Sequence, residues 1–512
     1  MSAKMLVETD PYEIRIGILE DDRLAELHLE RRSHRGTVGN VYLARVTRVL
    51  PGMQAAFLDI GLDRDAFLYV ADVVPEVPAE EELDLLGGDG ANGGTEAERT
   101  EADAEPRAAP APLPTIDTLL RPGQTLLVQV SKDPLPNKGA RVTTHVTLPG
   151  RFLVLLPTVG HLGVSRRIED DEERARLRRL LDALPGEGGG LIVRTAGEGR
   201  DADDFAADRQ YLVGLWQRIR EAAERSSAPA LVHQDRDLAL RVVRDRLSEE
   251  FAGLWVDDEE TYARIVEFLD HIQPQLVPRV RLDRAERGLF ERFGIETEIE
   301  AALKPKVWLK SGGHLVINQT EALVAIDVNT GRYVGERDLE TTALATNLEA
   351  VEEVVRQIRL RDLGGIIVLD LIDMVEAANR ERVFEALGRE LKKDRSKHKV
   401  LSISEFGLVE ITRKRSRTNL ERQLTRSCPC CEGSGRVSTA ATTCLRIRRA
   451  LLRMRGGIHW KDILLRVHPD VAKAFQREER AVLEELESAL GAAIHLQGDA
   501  KLHPASFDIL EM

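Results

Sequence analysis

A chain of 512 residues, 43% hydrophobic and 31% charged, is too long for one ordinary domain and too apolar for wholesale disorder, so three or four compact units are expected. No apolar run approaches the roughly 20 residues that span a bilayer, and the start MSAKMLVETDPYEIRI lacks the apolar core of a secretory signal. The net charge of −14 opposes an anionic partner only in bulk: between Glu76 and Arg107 eleven acidic residues face two basic ones, a net of −9 that leaves −5 for the rest.

Taken in chain order, residues 36 to 75 alternate in short stretches punctuated by Gly and Pro-Gly, the pattern of a small β-barrel. The segment 76–114 has almost no aromatic or β-branched residues and reads as a disordered acidic insertion within that barrel. Strand periodicity resumes after it, with Lys132 at one strand's end. From about 150 to 310, FLVLLP and GLIVRTAG predict strands, and DDEERARLRRLLDAL and DDFAADRQYLVGLWQRIREAAERS predict amphipathic helices. Between 313 and about 412 the elements alternate: GHLVINQT, EALVAIDVN, a helix near 340–361, GGIIVLDLID, a helix near 376–393, then KVLSIS. This is an α/β layer. A small α+β unit closes the chain, with helix TTCLRIRRALLRM and strand DILLRVH. Basic runs occur in SRRIEDDEERARLRR and ITRKRSR; each alone reads first as a solvated face.

Three patterns carry chemistry. EALVAIDVNTG and GGIIVLDLIDM are apolar strands that end on Asp327 and Asp370, and Asn329 shares a face with Asp327. If the strands are neighbours, two carboxylates converge where α/β sheets bind ligands, and a hard divalent cation such as magnesium would relieve their repulsion. A single strand-terminal Asp is otherwise a helix cap or the partner of an Arg. GLIVRTAGEGR places Arg194 and Thr195 before a Gly-rich turn, a receptor for a phosphate dianion or simply a turn. CPCCEGSGRV holds a CxxC of Cys428 and Cys431: half a zinc site, or a free or redox-active dithiol. Four cysteines, three of them in that motif, suit a reducing compartment, so a cytoplasmic protein is expected. Cys444 lies on a predicted helix and reads as core.

EALVAIDVNTGRYVG, TNLEAVEEVVRQIRLRDLGGIIVLDLIDM and FGLVEITRKR closely resemble the catalytic core of the ribonuclease E/G family. Several motifs occur in the family's order and cover nearly the whole chain. With no long disordered arm after the tail unit, it is most similar to the ribonuclease G type.

The resemblance implies an α/β multidomain fold, with an RNase H-like catalytic domain, an inserted OB-fold barrel of ribosomal-protein type, a zinc-link and a small C-terminal α+β unit. Its boundaries are expected as follows: 1–35 and 216–312 in the RNase H-like and linking region, 36–147 in the OB-fold, 148–215 in a 5′-sensor, 313–426 in the metal-binding region, 427–437 in the zinc-link and 438–512 in the last unit. It further implies a magnesium-dependent endoribonuclease that hydrolyses single-stranded RNA to 5′-phosphate products, in ribosomal RNA processing and messenger RNA decay.

The matching residues carry these roles over. Asp327, Asn329 and Asp370 match the catalytic set, with magnesium on the two carboxylates. Gly150, Val154, Arg166, Arg194, Thr195 and Lys397 match a pocket for the RNA 5′-monophosphate, Lys397 standing where Arg is frequent. Phe57, Phe67 and Lys132 match RNA-stacking and backbone contacts, although periodicity alone reads each Phe as barrel core. Cys428 and Cys431 match a zinc ion shared by two protomers, hence a homodimer and possibly a dimer of dimers, with Cys430 an extra thiol inside the motif. A non-catalytic RNA-binding protein and a metal-dependent DNase are the alternatives.

Overall fold

A computed structural model of the chain describes residues 3–31, 36–73, 114–134, 138–168, 170–184, 189–235, 237–320, 322–331, 339–404, 407–415, 418–454 and 461–512. The acidic insertion therefore lies outside the described residues, except for Pro114. Two compact units result, 1–423 and 424–512.

The larger unit is mixed α/β. Its first sheet pairs Val280–Leu282, Phe251–Val256 and Ala3–Thr9 in parallel and continues antiparallel through Glu13–Glu20 and Arg23–Arg31. A closed five-stranded barrel runs Val41–Leu50, Ala55–Asp59, Ala66–Tyr69, Arg141–Thr143 and Thr125–Lys132, and then back onto Val41–Leu50. Small residues make closure possible: Ala44, Ala56, Ala66 and Ala140 fill the interior beside Val46, Leu58, Leu68 and Val128. Ala230–His233 adds a strand to its outside. Next comes a four-stranded sheet containing Leu153–Leu156 and Gly190–Val193, packed under helices Asp171–Ala183 and Ala202–Arg225. Asp170 caps the first of these, accepting from the N–H groups of Glu172 and Glu173, and three acidic residues in its first turn favour the helix dipole.

Six strands build the sheet that carries the carboxylates, in the order Lys306–Trp308, His314–Gln319, Leu323–Asn329, Gly365–Asp370, Leu408–Arg413, His398–Val400. It takes no strand from residues 3–31. Only Leu323–Asn329 and Gly365–Asp370 run parallel, because helix Leu339–Arg361 crosses over between them. Strict alternation follows from one-sided burial. Ile317, Ile326, Ile367 and Ile411 point into a core with Val351, Val354 and Ile358 of that helix and Val383 and Leu387 of helix Ala377–Leu391, each such side chain contributing about 1.5–3 kcal/mol on burial. The residues between them face outward. KVLSIS is regular strand only to Val400; beyond it Leu401 and Ser404 still donate backbone bonds to Glu410 and Leu408 of the neighbouring strand.

The basic run at 411–417 is not a uniform charged face. Arg413 is buried between Asp362 and Asp394, each at 2.6 Å, and Arg415 donates to the carbonyl of Gly364.

The smaller unit has a three-stranded sheet ordered Ala493–Gly498, Asp462–Val467, Phe507–Glu511. Helix Ala440–Met454 packs on it through Cys444, Ile447 and Leu451. Helix Arg480–Leu490 ends at Gly491, whose φ of 64° is a left-handed cap.

Candidate active site

Asp327 and Asp370 stand directly opposite one another on the two parallel strands, both exposed. Burial, then the negative charges of Asp327 and Asp373, push the Asp370 carboxyl above its ordinary range. Such a set is hard, all-oxygen and short of positive charge, which fits a divalent cation completed by water or phosphate oxygens. Among the described residues no group of three or more His, Cys, Asp or Glu is gathered as a metal site.

Asn329 is joined to this pair, its Nδ2 donating to Asp327 Oδ2 at 2.8 Å. Two glycines allow the hairpin to approach it. A Cβ on Gly313 would lie 2.8 Å from the Asn329 carbonyl, and one on Gly331, at φ 62°, would lie 2.4 Å from the Gly312 carbonyl. Across the sheet Asn329 opposes His314, which opposes Trp308; one row along, Asp327 opposes Val316, which opposes Lys306. Burial and Lys306 lower the His314 pKa against the pull of Asp327, so its ring is neutral near pH 7.

On the barrel, register gathers what the sequence scatters. Arg48, Phe57, Phe67, Arg141 and Lys132 are successive cross-strand partners and form one outward row. The two Phe rings are half-buried and meet edge to face at 5.8 Å, and the Arg48 guanidinium lies 5.3 Å from the Phe57 centroid. Periodicity read each Phe first as core; the core positions are instead Ala56, Leu58, Ala66 and Leu68. Arg48 and Arg141 were not singled out from sequence, since membership of the row depends on register.

Arg194 does not stand free. Its Nη1 donates to Asp245 at 2.8 Å and to the Gly150 carbonyl. Thr195 Oγ1 lies 3.5 Å from Ser165 Oγ beside Arg166, which is exposed but not without a partner. The N–H groups of Arg151, Phe152 and Leu153 are taken by buried Asp208, and a Cβ on Gly150 would meet that carboxylate at 2.5 Å. Gly150 thus makes room for Asp208, and Val154 lies buried within its strand. The cation from 391–400 that reaches this cluster is Arg395, which donates to the Asp245 carbonyl at 2.6 Å. Lys397 is exposed, and its carbonyl accepts from Lys414. Burial and then Arg395, Asp245, Arg194 and Arg200 act on Arg151, whose pKa falls to about 10.

Two family models match the chain: the ribonuclease E/G family over residues 147–416, and the RNase E/G thioredoxin-like domain over 427–512. Ribonuclease G of Escherichia coli K12 is 40% identical over 512 residues, all of both chains, and that of Haemophilus influenzae is 38% identical over the same span. Ribonuclease E of Escherichia coli K12 is 34% identical across 95% of this chain and 44% of its own. The chain belongs to the ribonuclease E/G family.

The family's thioredoxin-like match begins at the cysteine loop. N–H groups of Cys431 and Cys430 lower the Cys428 thiol pKa and so favour thiolate. His503 pins this loop. Its Nδ1 accepts from the Ala505 N–H, so Nε2 carries the proton and donates to the Cys430 carbonyl at 2.5 Å. Cys444 is buried, and burial raises its thiol to about 11, an inert core residue as its helix position suggested.

Proposed function

We propose that this ribonuclease E/G family protein is a magnesium-dependent endoribonuclease that cuts single-stranded RNA to 5′-phosphate products, is stimulated by a 5′-monophosphate end, and serves ribosomal RNA processing and messenger RNA decay. Family membership and the full-length match to ribonuclease G make it an endoribonuclease. The observation that carries the finer reading is the direct opposition of Asp327 and Asp370, with Asn329 bonded to one of them.

Asp327 and Asp370 would hold the magnesium ion, which supplies positive charge to the scissile phosphate and acidifies an attacking water. Asn329 orients Asp327 through the bond from its Nδ2. Phe57 and Phe67, on what we take as the OB-fold, stack bases, while Lys132, Arg48 and Arg141 meet the backbone. The terminal phosphate docks by Arg194, Thr195 and Arg166, with the Arg194 guanidinium held in place by Asp245 and the Gly150 carbonyl. Arg395 joins Lys397 as a candidate cation for that pocket.

Cys428 and Cys431 would share a structural zinc ion with the same pair of a second protomer, giving a homodimer and possibly a dimer of dimers. No described helix is long and apolar enough to cross a membrane, and we place the protein in the cytoplasm.

The test compares cleavage of one single-stranded RNA bearing a 5′-monophosphate or a 5′-hydroxyl, and of the matched DNA, by wild type and Asp327→Asn with magnesium. Faster cutting of the monophosphate RNA, intact DNA and binding without cutting by the variant are expected. Equal cutting by Asp327→Asn, or cutting of DNA, would overturn the reading.

A further inference from the structure

The outward face of the carboxylate sheet carries a second kind of chemistry. Trp308 is 64% exposed, an unusual position for the largest apolar side chain. The Lys306 ammonium lies 4.2 Å from its ring centroid, and the His314 ring lies 5.3 Å away at 53°. Register places the group. Lys306 is in the same cross-strand row as Asp327 and Asp370, and Trp308 is in the row of Asn329. With strands about 4.8 Å apart and about 3.3 Å per residue, Trp308 stands roughly 12 Å from Asp327 on the same face.

His314 and half-buried Val316 lie between them, and beyond Asp327 the same face continues apolar through half-buried Ala325 and Val368 to Ile366, which is 49% exposed. No helix covers these side chains among the described residues, because helices Leu339–Arg361 and Ala377–Leu391 pack on the opposite face. An exposed ring flanked by a cation, in line with a phosphate-cutting centre, meets the two requirements of single-stranded nucleic acid: a π-surface for a base and positive charge for the next phosphate.

We propose that Trp308, supported by His314 and flanked by Lys306, is a stacking subsite for an unpaired base of the RNA strand lying across Asp327 and Asp370. This rests on the endoribonuclease reading, to which it adds a second aromatic platform, separate from the barrel row. The subsite accepts any base, so it holds the strand flat and extended at the point of cutting.

The experiment measures equilibrium binding and steady-state cleavage of one labelled single-stranded RNA, with binding measured in an Asp327→Asn background. Trp308→Ala should weaken binding and raise KM about ten-fold, as loss of one stacked base does, with a smaller change in kcat. Trp308→Phe should stay near wild type, and replacing one nucleotide at a time by an abasic site should reveal a position where Trp308→Ala has no added effect. Unchanged affinity in Trp308→Ala, or an altered sedimentation coefficient with unchanged RNA affinity, would overturn the proposal in favour of a packing or subunit surface. Trp308 is exposed, so the unfolding midpoint should not move; were it to fall, the Phe variant and the abasic series still decide. If wild type fails to cut at all, the active-site reading fails while the binding series judges the subsite independently.

Discussion

Asn329 holds Asp327 against the repulsion of Asp370, and its own backbone is pressed by a hairpin that only glycine permits. Removing the amide lets the carboxylate turn away, so Asn329→Ala should lower single-turnover cleavage about 10- to 100-fold, the usual cost of losing a group that orients a ligand, with the thermal midpoint unchanged. Gly331→Ala acts through the backbone. At φ 62° with a carbonyl 2.4 Å from the new Cβ, it should cost about 1–3 kcal/mol in urea unfolding and lower activity with it.

Helix Leu339–Arg361 shows two chemistries on its two sides. Val351, Val354 and Ile358 pack on the carboxylate sheet, whereas Arg359 reaches Glu20 and Glu26 of the N-terminal sheet and Arg356 reaches Glu298. Burial pushes the Glu26 carboxyl up, but Arg246, His28 and Arg359 overcome it and hold the group well below the ordinary range. The sign follows. A depressed folded pKa contributes stability that is complete above the unfolded value of about 4.3 and is lost as pH falls through the lower folded value. Urea midpoints should therefore fall between about pH 5 and 3, and Glu26→Gln should flatten that slope. Arg359→Ala removes one of the cations that hold Glu26, which keeps Arg246 at 3.0 Å, and should cost about 1.5–3 kcal/mol, with part recovered in the double variant with Glu26→Gln.

This helix also marks how far the sequence was legible. One-sided burial imposes period two on the strands at 323–329 and 365–370, so both strands and their carboxylates could be found by inspection. Pairing register leaves no such trace. The barrel row joins residues far apart in sequence, the Trp308 group depends on the register of one hairpin, and Arg395 and Asp208 reach the Arg194 cluster through tertiary packing alone.

At the scale of the whole molecule, the cysteine loop and the acidic insertion each make a prediction. Cys428→Ser with Cys431→Ser should release the zinc we assign and give monomers in sedimentation; a retained dimer would place the subunit contact elsewhere. Deleting 80–108 removes most of the −9 net charge of 76–107 and should raise RNA affinity at low salt, an effect fading above about 0.15 M. The barrel should tolerate such surgery for a geometric reason. Gln54 binds both edges of the gap: its carbonyl accepts from Val70, three residues before the last described residue on one side, and its Oε1 accepts from Ile116 at 3.0 Å on the other. The chain thus leaves and re-enters the barrel at nearly one point, and loop-closure entropy grows only slowly with length. A fluorescent reporter or affinity tag grafted between residues 73 and 114 would meet no demand on its span, which makes this the natural handle for following the protein in a cell.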